Sequence, residues 1–445
     1  MVRGEDRGCL RGRDSCGLRT WRRFLTFRFM TPKGTMSDRV STNASNLFQI
    51  LRDGQPRTRA ELVSATGFAR ATITARIESL MATGLISPVT EAASTGGRPS
   101  ARVAFNPEAR VVGAADVGAT HAVVALGNLS GRILVQQRKE LSIASGPEIV
   151  LDWLVDVFQS LLAQLNRPVG DMVAVGIGLP GPVEHATGKP SSPPIMPGWD
   201  AFDVPRYVQR SFAIPVLVDN DVNVMALGER ASCWPTVQNM IFLKVATGIG
   251  SGLISGGALQ RGADGTAGDV GHIAVTRAAG VRCRCGNVGC LEAIAGGPAV
   301  AASLRQEGLP TTNGADVVDL VRAGDINAIA AVRQAGRDIG EMLSMCVSLI
   351  NPALIVVGGS MAQSGEHLLA GIRETVYAAS TPLATQHLSI EQSRTGQEAG
   401  VLGAAILAID YALAPERIDD LAETTPSEQL LSREAKNNSD TAVAS

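Results

Sequence analysis

The chain has 445 residues, 45% of them hydrophobic, with 48 glycines and only 4% aromatics, which gives it a sizeable core and argues for an Ala/Gly/Val-rich α/β protein of about three domains rather than an all-β one. No apolar run approaches the roughly 18 residues of a membrane-spanning helix, so no membrane partner is expected. The net charge of −2 hides an asymmetry: residues 1–36 hold nine Lys/Arg against three Asp/Glu and residues 37–105 eight against five, which leaves −11 on the rest. A basic front on an acidic body is the balance of a nucleic-acid-binding module joined to a domain that does not bind nucleic acid.

Residues 1–36 are punctuated by arginine and carry no periodic pattern. They read as a disordered segment, or as an upstream start with Met30 or Met36 as the true first residue. From Ser41 the chain becomes periodic. Leu47, Ile50 and Leu51 share a helical face that ends at Asp53-Gly54. Thr58 with Glu61 three residues on forms a capping box for a second helix, which Gly67 stops. A third helix over 68–83 sets Ile73, Ile77, Leu80 and Met81 on one face.

Two short helices joined by a glycine-bearing turn make a helix-turn-helix, and short strands at 85–86 and 102–105 flank the flexible basic tip Thr95-Gly96-Gly97-Arg98-Pro99-Ser100. Residues 37–105 therefore read as a winged helix-turn-helix. Arg70, Thr72, Thr74 and Arg76 on the outer face of the third helix, Arg59 on the second, and Gly97 and Arg98 on the wing are the candidate DNA-contacting residues.

Beyond Pro107 strands alternate with helices. A buried strand at 111–116 runs into Asp116-Val-Gly118-Ala-Thr120, and strands at 123–126 and 133–136 continue as a meander. An amphipathic helix at 149–165 and a strand at 173–177 follow. A carboxylate followed by Gly and Thr in a hairpin turn binds phosphate through backbone N–H groups while orienting a metal. A second strand and glycine-rich turn, Lys244-Val-Ala-Thr247-Gly248-Ile-Gly250, repeats the arrangement. Between them the strand Val216-Leu-Val-Asp ends in Asn220-Asp221-Val-Asn223, and a strand at 354–359 ends in Gly-Gly-Ser after a long helix.

The densest chemistry lies at 268–292. Three of the seven cysteines, Cys283, Cys285 and Cys290, follow closely on His272, and this Cys3His set suits tetrahedral Zn²⁺ as a structural clip. Gly286 and Gly289 let the loop fold tightly enough for the thiolates to converge. Cys283 and Cys285 are too close in sequence to bridge easily, and an odd trio leaves a thiol over. The remaining cysteines are scattered, which points to a reducing cytoplasm rather than a secreted disulfide framework. The segment 402–413 reads as a closing helix that packs back on the first lobe, and 413–445, polar and charged, as a disordered tail.

In this order, Asp116-x-Gly-x-Thr120, Gly178-Leu-Pro-Gly181-Pro, Asn220-Asp-Val-Asn223, Thr247-Gly-Ile-Gly250, Gly271-His272 and then the cysteine loop, the sequence resembles the ROK family of repressors, open reading frames and sugar kinases. With the winged helix in front it looks like the repressor branch, akin to the xylose and N-acetylglucosamine repressors. The resemblance implies a two-lobed, actin-like ATPase fold over 110–412, with sugar in the cleft between the lobes. It implies sugar binding by Gly181, Asn220, Asp221, Asp269, His272 and Glu292, and phosphate binding by Asp116, Gly118, Thr120, Thr247, Gly248 and Gly250. Asp221 matches the catalytic base of the kinases.

The chain departs from the kinase pattern where the first turn has Gly118-Ala119 in place of Gly-Gly, since a methyl group there crowds the approach of a phosphate. It departs again at Asp269, a shorter acid than the usual Glu. The expectation is a cytoplasmic, sugar-responsive regulator of carbohydrate-metabolism genes, acting as a repressor, that binds operator DNA as a homodimer or homotetramer with structural Zn²⁺. The alternative is an ATP- and Mg²⁺-dependent kinase of a hexose or N-acetylhexosamine.

Overall fold

The computed structural model describes residues 43–89 and 101–425. The expectations for 1–36, for the wing tip with Gly97 and Arg98, and for the tail beyond Thr425 lie outside these residues.

The front end is a small head. Helices Ala44–Leu51, Arg59–Thr66 and Arg70–Ala82 pack with a three-stranded antiparallel sheet in which Arg102–Phe105 lies between Arg57–Thr58 and Ile86–Val89. The capping box forms as expected: the Glu61 amide donates to Thr58 Oγ1 at 3.2 Å and the Thr58 amide to Glu61 Oε2 at 2.7 Å. Gly67, at φ 73°, ends that helix by donating its amide to the Val63 carbonyl. Ile73, Ile77 and Leu80 are fully buried with Leu47, Phe48 and Leu62, and Phe48 meets Phe105 edge to face at 5.4 Å. Met81 is a correction, since at 37% exposure it leaves the core. At 3.6 residues per turn it sits about 80° around the helix from Ile73, on the edge of the apolar stripe.

Two five-stranded mixed sheets form the body, and their strand orders match. In the first, Val216–Asn220, Met172–Leu179 and Val111–Val117 run parallel, and His121–Asn128 and Ile133–Glu140 continue antiparallel. In the second, Ser389–Gln392, Leu354–Gly358 and Met240–Val245 run parallel, and Ile249–Ser255 and Ala258–Gln260 continue antiparallel. Each sheet thus starts with a hairpin meander and adds two parallel strands by helical crossovers, a duplicated topology. The helices Pro147–Gln164 and Ile326–Ile350 cover the outer faces and close one core per lobe. Between the lobes lies a cleft of about 1010 Å³.

The closing helix, Ala399–Ala412, packs on the first-lobe sheet and on the helix Asp221–Cys233. Its seat is backbone on backbone. A Cβ on Gly403 would stand 1.6 Å from the Val224 carbonyl oxygen, and one on Gly228 would stand 2.1 Å from that of Ala399. No side chain fits at either point.

The segment after it corrects the expectation of disorder from 413. Residues Pro415–Thr425 form a helix bent by 55° from the closing one, with Ile418 and Ala422 buried in the same core as Leu47 and Ile77 of the head. Asp419 accepts from the Ser45 amide at 2.9 Å, from Ser45 Oγ at 2.8 Å and from Asn43 Nδ2 at 3.0 Å, and the buried Arg52 pairs with Asp410 at 3.0 Å. No single helix among the described residues is long and apolar enough to cross a membrane.

Asp419 is the hydrogen-bond anchor of this junction, so Asp419→Ala should destabilise the protein by about 1–3 kcal/mol, read as a lower urea midpoint. An unchanged midpoint would show that the Asp419 hydrogen bonds do not stabilise the junction.

Candidate functional site

The cleft is floored by the turns that follow the first strand of each sheet. Asp116, Gly118 and Thr120 come to it from the first lobe, and Thr247, Gly248 and Gly250 from the second, so all six expected phosphate-site residues share one cavity. The Gly118 amide is already committed to the His121 carbonyl at 2.8 Å, closing the hairpin. The adjoining Ala119 also lines the cleft.

Gly181, Asn220, Asp221, Asp269, His272 and Glu292, the expected sugar contacts, line the same cavity. Asn220 caps the helix Asp221–Cys233 by accepting from the Val222 amide at 3.0 Å, while its Nδ2 donates to the Gly181 carbonyl at 2.8 Å. It therefore shapes the Gly181 turn as well as facing the cleft. Glu292 Oε2 accepts from the Ile249 amide at 3.0 Å and ties the cysteine loop to the second glycine turn.

The cysteine loop folds as a tight hairpin. Isolated bridges pair Arg282 with Val288 and Ala274 with Cys290, and Gly286 and Gly289 take φ 95° and 92° as the reversal demands. One ligand atom each from His272, Cys283, Cys285 and Cys290 lies within 4.8 Å of the others, a set that could hold a metal ion. His272 turns Nδ1 towards Cys283 Sγ at 3.7 Å and Nε2 towards Asp269 Oδ1 at 3.9 Å. The one ring faces the cluster and a cleft carboxylate at once. Burial and the neighbouring Cys285 and Cys283 thiols push Cys290 up to about 12. Three thiolates cannot share this space without a compensating cation.

Lys244 was legible only as part of a strand, yet it is central to the cleft. Its ammonium donates to Asp221 Oδ2 as an ion pair across the cavity, and Asp221 is 5% exposed. Burial lowers the affinity of Lys244 for its proton, but the fields of Asp221 and Asp116 outweigh it and leave the pKa raised. Asp116 shows the converse: burial raises its pKa to about 6 against the lowering field of Lys244, and Asp221 adds to the rise. The signal that would have found Lys244 is one cation in the apolar strand Met-Ile-Phe-Leu-Lys-Val.

The loop 392–397, which brings Gln392, Ser393, Gly396 and Gln397 to the cleft, was also missed. Buried Glu229 holds it by accepting from the Arg394 amide at 2.9 Å, Ser393 Oγ at 2.8 Å and the Thr395 amide at 3.1 Å.

In the head, Arg59, Arg70 and Thr74 line one concavity of about 320 Å³ beside Ala101, at the end of the sheet. Arg59 and Arg70 are exposed, and Thr72 and Arg76 are half-buried on the same third helix.

Two sheets of matching order facing each other across a cleft, each with a glycine-bearing turn at its floor, define the actin-like fold of the sugar kinases and their relatives. The chain belongs to the ROK family, whose model matches residues 112–411. It is 28% identical over 372 residues to the xylose repressor of Bacillus spizizenii, covering 83% of this chain and 96% of that protein. A crystal structure of a ROK family transcriptional regulator, a homologue of the E. coli MLC protein, superposes with a TM-score of 0.72 at 26% identity, over 85% of this chain and 98% of that one. The ROK hexokinase of Thermus thermophilus, 28% identical with a TM-score of 0.58, covers 67% of this chain and 97% of its own.

The raised pKa of Asp116 sets a pH dependence. A carboxyl that holds its proton more tightly folded than unfolded lowers stability as pH rises from about 4 through 6, and the loss is complete above that window. Asp116→Asn should therefore melt above wild type at pH 7.5, with the gap closing as the pH falls towards 4. A variant that melts lower at pH 7.5 would show instead that the ionised carboxylate is stabilising.

Proposed function

We propose that this chain is a sugar-responsive transcriptional regulator, a repressor of carbohydrate-metabolism genes, acting in the cytoplasm as a homodimer or homotetramer on operator DNA. The head is read as a winged helix-turn-helix, with Arg59, Arg70, Thr72, Thr74 and Arg76 as its DNA-facing side chains and Gly97 and Arg98 on its wing. The cleft is read as the pocket of a monosaccharide or sugar derivative. The observation that carries this reading is the joint between them. The closing helix starts in the cleft wall, where a Cβ on Gly400 would lie 2.1 Å from Asp116 Oδ2, and its continuation is packed into the head. A ligand that prefers one disposition of the lobes shifts the pose of the head through that helix. The xylose repressor likeness over 83% of the chain supports the same reading, whereas the hexokinase likeness stops at 67%.

The cysteine cluster is proposed to bind structural Zn²⁺. Tetrahedral Zn–S bonds of about 2.3 Å put two sulfurs about 3.8 Å apart, and a sulfur and an imidazole nitrogen about 3.6 Å apart. Cys285 and Cys290 Sγ are 3.8 Å apart, and Cys283 Sγ and His272 Nδ1 3.7 Å. With Nδ1 on the metal, the His272 ring is fixed in the orientation that turns Nε2 to the cleft. Glu292, two residues after Cys290, is fixed with it. The kinase alternative requires an Asp221 carboxylate free to take a hydroxyl proton, and Lys244 already engages that carboxylate.

The test is selection of random-sequence duplexes by the purified full chain at physiological salt, followed by the same binding assay with a panel of monosaccharides. Enrichment of paired half-sites is expected, with an Arg59→Ala/Arg70→Ala variant binding the selected DNA at least about tenfold more weakly and with a shallower salt dependence. Stripping zinc with a chelator should abolish the sugar effect and lower the melting temperature. No enrichment over random DNA would sink the regulator reading, and an unaltered sugar response after zinc loss would sink the role given to the metal.

A further inference from the structure

The duplicated topology gives Asp116 and Lys244 equivalent places. Each is the penultimate residue of the first strand of its sheet, Val111–Val117 and Met240–Val245. Each precedes a glycine-bearing turn, and each is registered against a glycine of the parallel neighbouring strand, Asp116 with Gly178 and Lys244 with Gly358. The two positions face one cavity, and they carry opposite charges. The Lys244 ammonium bonds the Asp221 carboxylate and feels the field of Asp116, so one second-lobe cation shares the cavity with two first-lobe acids and is paired with one of them.

Two carboxylates between a pair of phosphate-type turns are what a nucleotide-bound Mg²⁺ needs. That ion is held by one or two carboxylates together with phosphate oxygens, and it neutralises charge on the phosphates. The residues present do not fit this group. The ammonium already neutralises one of the two carboxylates, and a divalent ion beside it would face like charge at close range. Ala119 and the committed Gly118 amide narrow the phosphate approach on the same side.

We propose that Lys244 is a built-in counter-ion that takes the place of a nucleotide-bound divalent metal, so that the cleft binds its sugar with neither Mg²⁺ nor nucleotide. A side-chain cation leaves Asp221 as a hydrogen-bond acceptor for an uncharged sugar hydroxyl while withholding it as a base. It also links the second-lobe sheet to the first lobe in the absence of any triphosphate. The proposal rests on the reading of the cleft as a regulator's sugar pocket, and it deepens that reading.

Titration of the zinc-loaded full chain with Mn²⁺ and the non-hydrolysable nucleotide AMPPNP, followed by calorimetry and water-proton relaxation, tests it. Wild type should show no saturable binding. Lys244→Thr, which removes the cation, should gain Mn²⁺-dependent AMPPNP binding at least about tenfold tighter than wild type, and a second change, Asp116→Asn, should remove the gain. Lys244→Gln keeps a donor towards Asp221 without charge and serves if the threonine variant fails to fold, with zinc content and melting as the check of fold. Saturable Mn²⁺·AMPPNP binding by wild type that Asp116→Asn abolishes would overturn the proposal whichever variant folds. So would a folded Lys244 variant that binds no better than wild type. Failure of the DNA selection, by contrast, would count against the regulator reading and leave this measurement unaffected.

Discussion

The architecture depends on one close approach, the seating of the Ala399–Ala412 helix on the first lobe. Gly228 and Gly403 remove the side chains that would hold the two helices apart, so backbone lies against backbone, and Gly400 leaves room for the Asp116 carboxylate. Contacts of that kind have little room to slide, because packed backbones offer no rotamer that absorbs a shift. The helix is therefore fixed at its start to the wall holding Asp116. About three further turns carry it to Asp410 and Leu413, where Arg52 and Gln49 of the head take hold. The head and the cleft share one mechanical element.

The cleft has its own internal ties. The cysteine hairpin is joined to the second-lobe turn through Glu292 and the Ile249 amide, and Asn220 joins the first-lobe Gly181 turn to the start of the helix Asp221–Cys233. Lys244 then bridges the lobes by way of Asp221. Gly181, Asn220, Asp221 and Glu292 are each held by such a hydrogen bond or ion pair, which keeps this part of the cleft in shape without a ligand. The charge arrangement differs from what phosphoryl transfer asks for, since Asp221, the expected base, is paired with Lys244 and the second acid, Asp116, is desolvated.

Much of this was legible in the sequence because the relevant residues are close together in it. His272, Cys283, Cys285 and Cys290 fall within nineteen positions, so their spacing and donor chemistry brought them forward together as a set that could hold a metal ion. The capping box of Thr58 and Glu61 and the glycine stop at Gly67 are local rules that tertiary contacts did not override. The cleft residues were placed by a likeness of motif, and their convergence on one cavity agrees with it.

Lys244 escaped because its partner lies 23 residues away on the other lobe, and a single lysine in a strand carries no periodic signal. The helix Pro415–Thr425 escaped because Glu416, Arg417, Asp419, Asp420 and Glu423 make it read as solvated chain. Its buried side is only Ile418 and Ala422, four residues apart, too sparse a stripe to register without the head it covers.

The central claim is that ligand in the cleft is felt by the head through the last two helices. Amide hydrogen exchange of the full chain, with and without whichever monosaccharide raises its melting temperature, tests this most directly. The account predicts altered protection in Ala399–Ala412 and Pro415–Thr425, and in the helix Ala44–Leu51, as well as in the cleft turns. Changes confined to the cleft turns and the cysteine loop, with those three helices untouched, would contradict it.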